Sequence, residues 1–201
     1  MSQYLTSTLC DCLAPLINKV KPADFTLATI LNASDAYESP NWVTDDLNAL
    51  KESGFKLIKL DLRKPEDFKN FIENTEINGI FVAGGNSFYL LEIMKQSGLF
   101  DYLKTNIGKY LYIGSSAGSV VCCQDIELIR YLDRPLKEPK FDYIGLGLIK
   151  TLILPHINNP YFESKYQKLT QSKDFTKQSV LTLADNQALW VENGSIEIVE
   201  I

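Results

Sequence analysis

The sequence predicts an α/β fold, a mostly parallel sheet covered on both faces by helices, and three observations predict it. Short apolar runs alternate with amphipathic stretches from the N-terminus to about residue 113. Glycines and prolines fall at the junctions between them. The chain has 201 residues, 45% of them hydrophobic, enough for one domain, 1–201, with a sizeable core.

Taken in order, Gln3 to Thr8 is a short strand, followed by a helix around Cys12 to Asn18. Phe25 to Asn32 is a second strand, Pro40 to Glu52 a helix stopped by Gly54, and Phe55 to Leu60 a third strand. Pro65 opens the next helix. Gly79 to Val82 reads as a buried strand, after which Asn86 or Ser87 caps a helix running through Lys95 to about Gly98. A short helix spans about Phe100 to Asn106, and Tyr110 to Ile113 is the next strand. Residues 124–143, with Pro135 and Pro139 among many charges, read as an irregular excursion, and long loops of that kind usually carry function. Thr151 to Leu154 is a strand and Tyr161 to Gln171 a helix. Ser179 to Ala184, Ala188 to Val191 and Ser195 to Ile201 are strands, the last two joined by the tight turn Asn193-Gly194.

A net charge of −5 and scattered Lys and Arg argue against a nucleic-acid partner. No stretch approaches the roughly 18 apolar residues of a spanning helix, and the start lacks a basic leader, so the expectation is a cytoplasmic protein away from membranes. Cys10, Cys12, Cys122 and Cys123 have neither C-x-x-C spacing nor a companion histidine. They read as reduced core thiols, the last two on a helix after residue 116.

Function is carried by Gly114-Ser115-Ser116-Ala117-Gly118, between an apolar strand and a small, apolar segment. This is the pattern of a nucleophile elbow, in which a sharp strand-to-helix turn exposes the central hydroxyl; the plainer reading is an ordinary turn rich in small residues. The N–H of Ala117 would face an oxyanion formed beside Ser116. An elbow serine needs a base, and the chain has one histidine, His156, just past the strand ending Leu152-Ile153-Leu154-Pro155. For the carboxylate that orients the imidazole, Asp133 is the candidate, with Pro135 restricting its backbone; Asp125 and Glu127 compete. The loop Ala83-Gly84-Gly85-Asn86-Ser87 can supply a second oxyanion donor. It lacks both G-x-G-x-x-G and the lysine of a P-loop, which weakens a nucleotide-phosphate reading.

Four segments, Gly79 to Phe88, Tyr112 to Gly118, Leu132 to Pro135 and Leu154 to His156, together resemble the peptidase S51 family, which includes peptidase E (α-aspartyl dipeptidase) and cyanophycinase. The resemblance implies a three-layer α/β/α fold akin to class I glutamine amidotransferase domains, and a serine peptidase acting on short peptides through an acyl-enzyme. It makes Ser116 the nucleophile, His156 the base and Asp133 the acid, with Gly85 and Ala117 as oxyanion donors, and it implies no metal or organic cofactor.

A preference for N-terminal aspartate requires a cation, and the arginine that the aspartyl dipeptidases suggest shortly after the histidine is missing from Asn158-Asn159-Pro160-Tyr161-Phe162-Glu163. Asn86, Arg134, Lys165 and Lys168 are the candidates for substrate binding, with Arg130 as a further cation. Hydrolysis of another small amide or a β-aspartyl linkage, and a non-catalytic module binding a small anion, are the alternatives. An exposed edge at Ser195 to Ile201 would allow a homodimer.

Overall fold

A computed structural model describes residues 2–134 and 141–201. Pro135 and Pro139 lie outside the described residues, and with them the expected restraint on Asp133.

Seven strands form the main sheet in the order β3-β2-β4-β5-β1-β8-β9. These are β1 (Ser2–Thr6), β2 (Thr26–Ile30), β3 (Lys56–Lys59), β4 (Gly79–Val82), β5 (Leu111–Ser115), β8 (Gln187–Glu192) and β9 (Ser195–Glu200). The first five run parallel; β8 is antiparallel to β1, and β9 antiparallel to β8. The β8–β9 hairpin turns at Asn193 and Gly194, both at positive φ (50° and 82°), the conformation that an Asn-Gly turn favours.

Alternate residues of the strands feed two cores, as the period of two in a strand requires. Tyr4, Phe81 and Ile113 pack on one face, with Leu16 of α1 (Leu13–Lys19) and Val43 and Leu50 of α2 (Asn41–Glu52). Leu5, Ile80, Val82 and Tyr112 pack on the other. There they meet α3 (Pro65–Glu73), α4 (Ser87–Ser97), α5 (Leu99–Asn106) and the short α6 (Ala117–Val120). The result is a three-layer α/β/α arrangement with a mostly parallel sheet.

Helix ends follow local chemistry. Pro65 occupies the first turn of α3, where its missing N–H costs nothing. Asn86 caps α4, its side-chain oxygen accepting from Phe88 and Tyr89 N–H, and Gly98 ends that helix at φ 84°.

Three departures from the sequence reading have physical reasons. The helix after the elbow stops at Val120, so Cys122 and Cys123 lie beyond it. The Cys123 segment instead forms a parallel bridge with Ile149. Both cysteines are completely buried, and burial pushes their thiols above the ordinary range. The excursion holds a 3₁₀ helix at Glu127–Tyr131 whose Leu128 and Ile129 enter the core. And β6 (Leu152–Pro155) pairs in parallel with β7 (Val180–Leu183) as a separate two-stranded sheet, linked through α7 (Glu163–Thr170). That pair sets the site, because Pro155 lies opposite Leu183 and the chain leaves both strands at the same end.

Candidate active site

The strand β5 ends in an abrupt turn at Ser116, whose φ of 48° and ψ of −107° are unusual for a residue with a side chain. The turn is braced from three sides. Ser116 N–H donates to Thr6 O (2.9 Å), and Ser119 Oγ bridges Thr6 O and Gly114 O while accepting from Thr6 N–H. Tyr112 Oη donates to Gly118 O (2.8 Å). Only glycine fits at 118, because a Cβ there would lie 2.1 Å from Val82 O. The backbone is thus held in a conformation that an unbraced chain would leave.

His156 is the second strained residue, at φ 66°. Its N–H donates to Ser7 Oγ (3.1 Å), and its ring stacks on Phe162 at 4.8 Å with planes 9° apart. The ring is thereby aimed at the elbow, with Nε2 2.9 Å from Ser116 Oγ. On its other side, Nδ1 is 2.5 Å from Oδ1 of Asp185. Asp185 lies in the turn between β7 and β8 and also accepts from Asn159 Nδ2 (2.9 Å) and Thr8 Oγ1 (3.3 Å). The bond from His156, ahead of that from Asn159, holds the Asp185 carboxyl below the usual carboxylate range despite partial burial. Serine, histidine and aspartate therefore form one continuous hydrogen-bonded line.

Asp133, the expected acid, faces Ser87 and not the imidazole. Asp133 Oδ2 accepts from Ser87 N–H (3.0 Å) and Ser87 Oγ (2.8 Å) at the start of α4, and it makes no hydrogen bond to His156. Burial raises its pKa, with Ser87 opposing. Asp125 accepts from Glu127 N–H, and Glu127 pairs with Arg130, so neither competitor reaches the ring. The aspartate that meets the imidazole follows the histidine in the chain, whereas the sequence reading sought the acid between serine and histidine. The available signal was Ala184-Asp185-Asn186, a carboxylate just past a strand end.

Ser116 and His156 open on a cleft of about 510 Å³. Gly84 and Gly85 form one wall, and a Cβ on Gly84 would approach Ser116 Cβ to 3.2 Å. Gly85 has φ 147°, and a Cβ there would fall 2.2 Å from Ala33 O. Ala117 N–H is the first of its helix, one of the donors a helix leaves without an internal partner.

The proposed substrate-binding residues do not line this cleft. Asn86 spends its oxygen on the α4 cap and its amide on Arg134 O. Arg134 and Lys168 are exposed, and Lys165 donates to Leu132 O (2.8 Å). Arg130 is held by Glu127 and Asp174. The lining consists instead of Ser7, Thr8, Asp46, Ser115, Asn159 and the aromatic residues Tyr37, Trp42, Tyr161 and Phe162, with the glycines, serine and histidine already named. Among the described residues no group of three or more His, Cys, Asp or Glu is arranged to hold a metal, and no helix is long and apolar enough to cross a membrane.

A parallel α/β sheet carrying a strained serine elbow, with an imidazole on its hydroxyl, defines a hydrolase of the serine-peptidase class. The family model for peptidase family S51 matches residues 6–199, and the chain belongs to that family. It is 31% identical over 200 residues to an uncharacterized peptidase of Listeria innocua, covering 96% of this chain and 93% of the relative. It is 30% identical over 149 residues to peptidase E of Shewanella denitrificans, covering 69% of this chain and 60% of that one. A crystal structure of a Listeria monocytogenes protein superposes with a TM-score of 0.88 at 24% identity, covering 100% of this chain and 98% of that chain, and shows the same fold.

Proposed function

We propose that this peptidase hydrolyses short peptides through an acyl-enzyme on Ser116, with His156 as general base and Asp185 as the orienting acid. The observation that carries the reading is the unbroken line from Ser116 Oγ through both imidazole nitrogens to Asp185. The Asp185 carboxylate holds Nδ1 protonated, which leaves the Nε2 lone pair facing the serine hydroxyl. Ser116 Oγ attacks the peptide carbonyl as its proton passes to Nε2, and the resulting imidazolium is stabilised by Asp185. The same proton then goes to the leaving amine, and water, activated by His156, releases the acyl group. The N–H groups of Ala117, first in its helix, and of Gly85, on the cleft wall, are the proposed donors to the developing oxyanion.

The aspartyl preference implied by the resemblance needs a cation in the cleft. The described lining contains no lysine or arginine, so the proposal is confined to short peptides. The test is release of free amino acids from a dipeptide library by the purified protein and by Ser116→Ala. Release that vanishes in the variant supports the reading; release that persists, or none from any member, contradicts it.

A further inference from the structure

One ionisable group in the cleft has no part in the proposed chemistry. Asp46 lies one turn after Trp42 on α2, is 1% exposed, and is the one carboxylate among the described lining residues. Its Oδ1 accepts from Cys10 N–H (3.0 Å), and the neighbouring Ser115 side chain also favours its charged form. Acceptor capacity of the carboxylate is left open. No lysine or arginine of the described lining faces it. Burial, reinforced by the nearby charges of Asp11 and Asp45, pushes its pKa up to about 6 against the opposing hydrogen bonds. A buried anion of this kind gains most from an arriving cation.

The rest of the cleft suits the same visitor. Tyr37 and Trp42 meet edge to face at 5.2 Å, and Tyr161 and Phe162 do so at 5.0 Å. All four rings line the cleft; Lys165 Nζ already lies over Tyr161 and Phe162, 4.9 and 4.8 Å from their centroids, so it is the Tyr37–Trp42 pair that can attract an ammonium group while accepting an apolar side chain. Asp133 adds to the same field, since after burial it is the next cause of the raised Tyr37 pKa. A substrate carboxylate on the Trp42 side would meet Asp46 with no lysine or arginine in the described lining, whereas Lys165, over Tyr161 and Phe162, offsets the Asp133 charge on the other side.

We propose that the cleft selects peptides presenting an ammonium group beside an apolar or aromatic residue, with Asp46 as the counter-ion of that ammonium. This rests on the Ser116 reading and narrows its substrate class away from aspartyl peptides. The ammonium is either the peptide's own α-amine or a lysine side chain, and the two share one chemistry.

The test compares kcat/KM for phenylalanyl-alanine, N-acetylphenylalanyl-alanine, N-acetyllysyl-alanine and aspartyl-alanine, with p-nitrophenyl acetate as an uncharged probe of Ser116. The wild type should prefer phenylalanyl-alanine over its acetylated form by roughly 30-fold or more, and aspartyl-alanine should be poor. Cleavage of the acetyllysyl peptide but not the acetylphenylalanyl one equally supports the proposal and assigns the ammonium to a side chain. Asp46→Asn should erase the discrimination mainly through KM, and Asp46→Glu should retain part of it. Equal cleavage of free and acetylated peptides, preference for aspartyl-alanine, or discrimination that survives Asp46→Asn overturns the proposal. Should that variant not fold, equal cleavage by the wild type still overturns it. Ser116-dependent ester hydrolysis without peptide cleavage also overturns it while leaving Ser116 as the nucleophile. Absence of both activities removes the serine reading itself.

Discussion

Asp133 and Asp185 are both aspartates on connecting segments close to His156, and their partners divide them. Asp133 follows the core-anchored 3₁₀ helix and spends its carboxylate on the N–H and hydroxyl of Ser87. Asp185 leaves the end of β7, beside the strand that delivers His156, and spends its carboxylate on the imidazole and Asn159. One fastens a helix start next to the Gly84-Gly85 wall; the other holds the ring of the proposed base. The difference teaches that proximity in sequence to the elbow serine is a poor guide to which carboxylate meets the imidazole, whereas sharing a strand end with the histidine is a good one.

The most damaging change to the proposed site is removal of the nucleophile. Ser116→Ala should cut peptide hydrolysis by roughly 10⁴-fold or more, measured as kcat/KM, since members of such a line act as a unit. The comparison of the two acids is broken most directly by paired substitutions. Asp185→Asn should cost about 10⁴-fold in kcat, because an amide no longer holds the imidazole tautomer, and Asp133→Asn about tenfold or less, through a loosened Ser87. Reversed magnitudes would return the acid to Asp133.

Two stability measurements sharpen the account of what surrounds the site. Gly118→Ala should destabilise the fold by about 3 kcal/mol in urea unfolding, because a methyl group 2.1 Å from Val82 O forces backbone apart from backbone. A loss under about 0.5 kcal/mol would show that the elbow relaxes freely. Asp46 gives a pH signature of known sign. Its folded pKa of about 6 stands above the roughly 3.9 of an unfolded aspartate, so the folded chain binds the proton first. Asp46 therefore lowers stability as pH rises from about 4 to above 6. Asp46→Asn should gain on the wild type across that window by on the order of 2 kcal/mol and show no further change above it. A difference that is flat with pH would mean that Asp46 ionises normally.

Much of the fold was legible because local signals agreed with the final structure. The strand at Gly79–Val82, the Asn86 cap, the Gly98 stop and the Asn193-Gly194 turn each follow from one or two residues whose chemistry admits few conformations. The Ser116–His156 pairing was legible for a related reason, since one elbow and one histidine leave a single combination. Asp185 was not legible, because its place beside His156 depends on β6 pairing with β7, a long-range contact that strand patterns do not encode. The cleft's aromatic character was hidden too: Tyr37 and Trp42 come from a segment far from the elbow, and only the sheet order brings α2 beside β5. Cys122 and Cys123 were placed on a helix by their small, apolar neighbours, but after Val120 the chain turns away to bridge Ile149.

The most direct test of the central claim is the rate at which a fluorophosphonate labels the protein, with the modified residue located by peptide mass spectrometry. The account predicts a single adduct on Ser116, formed roughly 10³-fold more slowly in Asp185→Asn and within about tenfold of the wild-type rate in Asp133→Asn. An adduct on another residue, no adduct at all, or labelling that depends on Asp133 and ignores Asp185 would contradict it.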